Sequence, residues 1–326
     1  MKSKTLTVVT VALFCITFLY KAQGQVSITN IEDFAKIKNG TTYVAMKDPN
    51  AVKAQPFIDA IKSCWTLSKI EFIKFSEIEN HFEPNSSFLT YGDIEKNYYR
   101  ESWSNSGYSR GVNHQSTHVY FEFWTIVDKF FKGDKKRVRL GPGDKIQLAR
   151  IELFTDFSTT QVPDKLLKVD FDGMGHINNW SPGILKNYLL LMTDLLNKGK
   201  ERKLYSETYN MKEIKELSNQ TLYVPHYVLN KFNNFTGDES NEFDEKDIFE
   251  DYKAKYKLLS TSELNDKILN ESSPFYYLIY VKSCTDKFIS VINSQTGEMI
   301  YSTYAGISYN FKSGDLKDLQ KKINSK

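Results

Sequence analysis

Residues 69–88 read KIEFIKFSEIENHFEPNSSF, and residues 255–275 read KYKLLSTSELNDKILNESSPF. When the two stretches are aligned, three short segments match: Ser76-Glu77-Ile78 on Ser262-Glu263-Leu264, Ser86-Ser87 on Ser272-Ser273 and, upstream, Thr42-Tyr43-Val44 on Leu222-Tyr223-Val224. Each stretch predicts a strand, a short helix that begins at Ser-Glu, and a second strand. The sequence therefore indicates a duplicated unit. Chance similarity between two α/β segments is the alternative.

Outward from these stretches, both halves of the chain predict the same series: strand, helix, strand, short helix, strand, hairpin and helix. We therefore expect an α/β (α+β) fold of two related units, each a mixed sheet with packed helices. The first unit is assigned to residues 25–220, and the second, smaller unit to residues 221–326. The clearest helix lies at 182–198, because Ser181 suits its start and Gly199 its end.

The first unit contains a long insertion, residues 92–117, that the second unit lacks. It is rich in Tyr, Ser, Asn and Gly, so it is predicted to be a loop. Further along, residues 132–139 read KGDKKRVR between two predicted strands and would form the basic tip of a hairpin. A charged helix is predicted at 244–256.

The N-terminus has the features of a secretory signal peptide. Two lysines precede an uncharged, mostly apolar run at 5–20, and the small residues Ala22 and Gly24 come just before Gln25. Signal peptidase reads this order of positive, apolar and small residues. We therefore expect residues 1–24 to be removed; an uncleaved N-terminal anchor is the alternative.

Composition restricts the compartment and the partners. No later stretch is long and apolar enough to form a transmembrane segment, so the mature chain is expected to be soluble, and secreted or periplasmic. The net charge is +3, which does not predict nucleic acid as a partner. Two cysteines remain, Cys64 and Cys284, which would either pair in an oxidising compartment or stay as thiols.

Three segments of the second unit carry a resemblance to a known family: Tyr256-Lys-Leu-Leu-Ser-Thr-Ser-Glu-Leu, Tyr276-Tyr-Leu-Ile-Tyr and Phe288-Ile-Ser-Val-Ile-Asn-Ser-Gln-Thr-Gly-Glu-Met-Ile-Tyr-Ser. They resemble the α/β domain shared by the curli-secretion lipoprotein family and the N-terminal domain of the TolB family. The family usually has a glycine after its third strand, where this chain has Val281-Lys282. The resemblance implies a non-enzymatic envelope or scaffold protein and supplies no catalytic residues.

The segment that most suggests a ligand is 170–180, DFDGMGHINNW. Its glycines would let the backbone approach a ligand, and it precedes a helix N-terminus. Carboxylates, amides and a tryptophan would suit a sugar. The candidate ligand-binding residues are Asp170, Asp172, His176, Asn179 and Trp180. A tight loop whose glycines serve turn geometry is the alternative.

No catalytic motif accompanies this segment. The chain lacks a nucleophile elbow and a phosphate-binding glycine loop, so no catalytic residues and no cofactor are predicted. His114, His118 and His176 lack the helical spacing of metal ligands, so no metal site is predicted.

These observations lead to an expected function. We expect an exported soluble protein that binds a protein or a cell-envelope component without catalysis. A secreted hydrolase or carbohydrate-binding protein that uses residues 170–180 is the alternative, and a component that pairs with copies of itself is a further one.

Overall fold

The computed structural model of the chain describes residues 25–103, 109–132, 139–164, 166, 175–205, 207–233, 239, 241–306 and 308–325. For residues 96–103, 109–116 and 241 it describes the backbone alone. The expected signal peptide and most of the basic tip, residues 133–138, lie outside the described residues.

The described secondary structure alternates between helices and strands. The strands are β1 Val26–Ile28, β2 Thr41–Met46, β3 Lys69–Lys74, β4 Ser87–Trp103, β5 Ser109–Ile126, β6 Lys145–Glu152, β7 Thr208–Tyr209, β8 Leu222–Pro225, β9 Asn230–Lys231, β10 Asn241–Glu242, β11 Tyr256–Leu259, β12 Tyr276–Ser283, β13 Asp286–Asn293 and β14 Met299–Gly306. The α-helices are α1 Ile31–Ile37, α2 Gln55–Cys64, α3 Phe157–Gln161, α4 Pro182–Asn197, α5 Met211–Glu216, α6 Glu245–Phe249, α7 Thr261–Asn270 and α8 Ser313–Ile323.

Twelve of these strands form two mixed six-stranded sheets with the same topology, and β9 and β10 form a separate two-stranded sheet. The first sheet has the order β1-β6-β5-β4-β2-β3, and the second has the order β7-β14-β13-β12-β8-β11. In both, the strand at the fifth place is parallel to its two neighbours, and the other pairs are antiparallel. The predicted α/β fold of two related units is therefore confirmed.

The strand registers show which residues of the two units are equivalent. Thr42 lies opposite Ser87, and Leu222 lies opposite Tyr276. Thr42 and Leu222 are therefore equivalent, as the sequence alignment has them. Ser87 is equivalent to Tyr276, so its alignment with Ser273 is wrong. The reason is that the second unit has the full helix α7 where the first has a short 3-10 helix at Phe75–His81.

A β-bulge also lies at the same place in both units. The register shifts after Phe123 in β5 and after Val291 in β13. Each bulge comes two residues before the strand partner of Ser87 or of Tyr276. A bulge inserts one extra residue at a single point of a ladder, so its shared position is a specific mark of duplication.

The predicted loop at 92–117 is wrong for its described residues, because 92–103 belong to β4 and 109–117 belong to β5, and the two strands pair with each other. Alternation of apolar and polar residues detects only strands with one buried face. Backbone pairing between two strands does not require it. The predicted helix at 244–256 is also shorter, ending at Phe249, because β11 begins at Tyr256 and pairs with β8.

Helix α4 joins the two units and confirms the predicted helix at 182–198. Ser181 caps it by accepting a hydrogen bond from the backbone N–H of Ile184, and Gly199 follows it with a φ of +59°. The helix packs against α2 of the first unit and against α7 of the second. Buried residues of both units form one continuous hydrophobic core around it. None of the helices in the described ranges is long and apolar enough to cross a membrane.

Candidate functional site

Strand β5 has two different faces. Val119, Phe121 and Phe123 point into the main core. The residues of β5 between these three, and those that flank them, point to the opposite face of the sheet. There they lie beside side chains of β6, several of which are polar. Together they form a row of eight residues: His118, Tyr120, Glu122, Trp124, Lys145, Gln147, Arg150 and Glu152. We call these residues the polar row.

At one end of the polar row lies a buried carboxylate whose charge is balanced by a neighbouring lysine. Glu122 is only 2% exposed. It accepts hydrogen bonds from Nζ of Lys145 and, at 2.8 Å, from Nε2 of Gln147. The Lys145 ammonium also lies 4.8 Å from the centroid of the Trp124 ring. The carboxylate charge is thus balanced within the row, as a buried charge requires.

Beside this end lies an open cavity of about 470 Å³. Its wall is mixed, with Phe82, Tyr120, Glu122, Trp124, Arg139 and Lys145 among the lining residues. Trp124 donates from Nε1 to Oγ1 of Thr90 at 3.0 Å and stacks on Phe88. The Trp124 ring is therefore held in place by the protein, at a cavity wall that combines apolar and charged side chains.

In the middle of the row, the side chain of an arginine stacks on a tyrosine ring. The guanidinium of Arg150 lies 3.9 Å from the ring centroid of Tyr120 and donates from Nε to Oε1 of Glu152. Glu152 is fully buried. Burial raises the pKa of this carboxyl, but the bonds from His118, Arg150 and Ser283 outweigh it, and the net pKa is lowered. Glu152 is therefore a carboxylate at neutral pH.

At its other end, the polar row forms hydrogen bonds with the second unit. The hydroxyl of Ser283, the last residue of β12, donates to Oε2 of Glu152 at 2.6 Å. Its oxygen lies 3.0 Å from Nδ1 of His118. Because the single hydroxyl proton is used on Glu152, Nδ1 of His118 carries the proton of the second bond. The three side chains thus form a directed chain of bonds between the two units.

Cys284 lies at the same end of the polar row. It is half-buried in the turn after β12, and its side chain interacts with the imidazole of His118. Burial disfavours the charged imidazole, but hydrogen bonds to Cys284 and Glu152 and their charges prevail. They raise the pKa of His118 to about 9. The imidazole is therefore an imidazolium at neutral pH.

A second buried cation lies near the same turn. Lys282 is 7% exposed, and its Nζ lies 3.6 Å from Oε1 of Glu239 and over the ring of Phe232. Burial lowers the pKa of Lys282 to about 8, against the attraction of Glu239 and Cys284. Residues 282–284 therefore place a lysine, a serine and a cysteine at the junction of the units.

The sequence did not single out this end of the row as a unit. His118 is separated from Ser283 by 165 positions. The signal that was available is local: His118 directly precedes the largely apolar stretch 119–127, and Glu152 lies within the largely apolar stretch 146–154. A charged residue in such a strand has to find a partner, which only the arrangement of the two units supplies.

The sequence-predicted site residues are distributed differently. Asp170 and Asp172 lie outside the described residues. His176 is near the surface, where Nδ1 lies 2.9 Å from Oδ2 of Asp156 at the start of α3. Among these five residues, the described contacts bring Asn179 close to Tyr188 and Trp180 close to Phe57, not to His176.

Asn179 and Trp180 belong to the core. Asn179 is fully buried, and its amide binds the backbone N–H of Phe154 at 2.8 Å and the hydroxyl of Tyr188 at 2.9 Å. Trp180 is 1% exposed and contacts Phe57, Tyr91 and Phe121. Sugar stacking on Trp180 is therefore corrected: the ring is enclosed by protein, and its role is to seat the start of α4.

Metal-ligating side chains do not converge in the part of the chain that the structure describes: no three His, Cys, Asp or Glu side chains there could hold one ion. No disulfide joins Cys64 to Cys284. Comparison with protein-family models, with curated proteins and with solved structures gives no match.

Proposed function

We propose that this chain is an exported, non-enzymatic protein that binds another protein of the cell envelope through the long hairpin of its first unit. The part that binds is residues 95–117, which we call the arm. One observation carries the proposal: the arm is present in one of two units that otherwise share topology, register and bulge. Within a duplicated fold, such a difference marks a surface added for a separate task.

The registers show where the two hairpins diverge. Ile94 pairs with His118 in the first unit, and this pair is equivalent to Ser283 and Asp286 in the second. In the second unit the strands close there in a two-residue turn. In the first unit they continue for nine further pairs, out to Trp103 and Ser109.

The arm extends beyond the neighbouring strands of its sheet. The ladder of β2 on β4 ends at Leu89, and the ladder of β6 on β5 ends at Tyr120. Within the described part of the chain, no further strand pairs with the outer edges of the arm. A two-stranded ribbon is marginally stable alone, and open strand edges are sites where another chain can add a strand.

The composition of the arm supports a protein partner. Its sequence contains the residue types that dominate binding energy at protein interfaces, aromatic residues and arginine: Tyr98, Tyr99, Arg100, Trp103, Tyr108 and Arg110. Serine, glycine and asparagine occur between them, and these supply adaptable hydrogen bonds. A partner that offers a strand edge flanked by apolar or acidic pockets fits this surface.

The test replaces residues 95–117 by Asn-Gly, so that Ile94 and His118 close in a two-residue turn as in the second unit. We expect the melting temperature to change by no more than about 2 °C, because the removed strands lie beyond the ladders of β2 and β6. A photo-cross-linker at Tyr99 in the native host should capture a discrete envelope protein. The same reagent at exposed Lys257 of β11 is the matched control.

A variant that keeps the arm but carries Tyr98→Ser, Tyr99→Ser and Trp103→Ser separates backbone pairing from side-chain binding. Capture should fall at least tenfold with this variant. Equal capture from Tyr99 and Lys257 would overturn the proposal. A cross-link of the chain to itself, with a dimer by light scattering that the shortened arm abolishes, would replace it by self-assembly.

Export is tested separately. Intact-mass measurement of the protein recovered from its native host should give a chain that starts at Gln25. A chain that starts at Met1 and sediments with membranes would instead support an uncleaved anchor.

A further inference from the structure

We propose that the cavity between helix α8 and the second sheet is a binding site for a small zwitterion, a free amino acid with an apolar side chain. This cavity belongs to the second unit, so the site does not depend on the arm or on its partner. Two features of the molecule support it: the different packing of the same sheet face in the two units, and the charges around the cavity.

The cavity lies between strands β13 and β14 on one side and helix α8 on the other, and its volume is about 470 Å³. Small-molecule sites in proteins have volumes of about 300 to 1,000 Å³. The buried residues Ile289 and Tyr301 belong to its sheet side. Helix α8 contributes Asp315, Asp318 and Lys322, whose spacing of three and four residues places them on one face of the helix.

The first unit has solid core at the equivalent place. The strand registers give these equivalent pairs: Val119 and Lys287, Phe121 and Ile289, Ala149 and Tyr301, Ile151 and Thr303, and Leu153 and Ala305. All the first-unit members are buried in the hydrophobic core, whereas all the second-unit members line the cavity. Two of the apolar residues are replaced by Lys287 and Thr303, and a leucine is replaced by the small Ala305. Because a void in a packed core lowers stability, a cavity at this place favours an occupant.

Two ion pairs hold the walls of the cavity. Lys287 is 3% exposed, and its Nζ donates to the two carboxylate oxygens of Asp315 at 2.8 and 2.7 Å and to the backbone oxygen of Asn310 at 3.2 Å. An ammonium has three N–H donors, so Lys287 has none left for a ligand. Asp318 is paired with Lys321 at 2.8 Å. Both pairs are electrically neutral and leave the binding of a charged ligand to other groups.

Those other groups are one cation and one anion beside the same tyrosine ring. Nζ of the half-buried Lys322 lies 4.0 Å from the centroid of the Tyr209 ring. The hydroxyl of Tyr209, a neutral donor, bonds to Oε2 of the exposed Glu207 at 2.6 Å. Among the described residues, neither Lys322 nor Glu207 has a group of opposite charge within 4 Å. A ligand that carries both a carboxylate and an ammonium group can pair with both of them.

The charge balance and the sheet side of the cavity define the ligand further. Among the described residues, three carboxylates and three ammonium groups line the cavity, so their charges sum to zero. A simple anion or cation would disturb this balance, whereas a zwitterion preserves it. Ile289, Tyr301 and Ala305 offer an apolar surface between the charges. A free amino acid would place its carboxylate beside Lys322, its ammonium group beside Glu207 and its apolar side chain against the sheet.

The test is calorimetric titration of the purified protein with L-phenylalanine and with L-leucine at neutral pH. We expect saturable binding of at least one of them. Its N-acetyl derivative, which lacks the ammonium group, and its amide, which lacks the carboxylate, should each bind at least tenfold more weakly. Equal binding of the free and blocked forms would overturn the proposal, as would the absence of saturable binding of both amino acids up to about 10 mM.

Variants of the full chain show whether the ligand lies in this cavity. Lys322→Gln should weaken binding at least tenfold. Lys317→Gln is the matched control, because Lys317 lies on the same helix but pairs with Asp251 outside the cavity, and it should leave binding unchanged. Ala305→Leu introduces the residue that the first unit has at position 153, so it should fill the cavity and abolish binding without lowering the melting temperature. Undiminished binding by a folded Ala305→Leu variant would place the ligand elsewhere and overturn the proposal.

Discussion

Gly297→Ala is expected to lower the free energy of unfolding by about 3 to 5 kcal/mol. Gly297 lies in the turn between β13 and β14 with a φ of +70°. A Cβ at this position would come within 2.2 Å of the backbone oxygen of Asn187 in α4. Left-handed backbone costs an alanine about 1 kcal/mol, and the clash with a helix backbone that cannot move aside adds the rest. The midpoint of urea unfolding measures the change.

Gly199→Ala is the matched control. Gly199 has a similar φ of +59°, but nothing lies within 4 Å of a Cβ placed there. It should cost only about 1 kcal/mol, from the backbone term alone. If the two variants were equally stable, the turn between β13 and β14 would not pack closely against the backbone of α4.

The duplication could be predicted because its signals are local. Ser76-Glu77-Ile78 and Ser262-Glu263-Leu264 both lie in the first turn of a short helix that follows a strand. The helices begin one residue earlier than predicted, at Phe75 and at Thr261, and it is Ser260 that caps the second one. Helix α4 was equally predictable from Ser181 and Gly199. The order of strands in the sheets follows from these elements once each pair of parallel strands is joined by a helical segment.

The arm could not be predicted, because its strands are defined by each other. Residues 95–103 and 109–117 pair with each other through cross-strand backbone bonds, which local sequence patterns do not reveal. The edge strands β1 and β7 were missed for a related reason. They have three and two residues, too few to show alternation, and they are fixed only by pairing with β6 and β14.

In the candidate site, too, local sequence patterns could not show which residues would meet. Asn179 and Trp180 follow a glycine-containing loop, a pattern that favours a ligand, yet they fill the core at the start of α4. His118, Glu152 and Ser283 lie far apart in the chain and meet only because α4 and the β12 turn bring the two units together. Local patterns reveal helices and turns, whereas this site depends on how the two units are docked.

Glu152→Gln is expected to cost about 3 to 5 kcal/mol at pH 7, the effect of removing one partner from a buried charge network. The amide would keep the shape of the side chain. However, its NH₂ group would face either Nε of Arg150 or the hydroxyl of Ser283, both of which donate to the carboxylate. His118 and Arg150 would then be buried cations without a carboxylate. Glu271→Gln, at an exposed ion pair with Lys267, is the control and should change little.

The same network of buried charges determines in which direction stability changes with pH. The pKa of His118 is raised to about 9 in the folded chain, above its ordinary 6.5. Its contribution is therefore complete below pH 6.5 and is lost as the pH rises through 9, a change on the order of 3 kcal/mol. The pKa of Glu152 is lowered, so its contribution is present above its ordinary 4.5 and is lost as the pH falls. The two groups together place the optimum between about pH 4.5 and 6.5.

Urea unfolding from pH 3 to pH 9 checks both statements. In the native protein, stability should fall between pH 6.5 and 8, and above this range the deprotonation of Lys282, whose pKa is lowered to about 8, offsets the loss. In Glu152→Gln this alkaline slope should be shallower, because the carboxylate no longer holds the proton on His118. A native protein with a flat profile between pH 6.5 and 8 would show that His118 is neutral in the folded state. The chain of bonds from Glu152 through Ser283 to His118 would then join the two units with Arg150 as the only cation on the carboxylate.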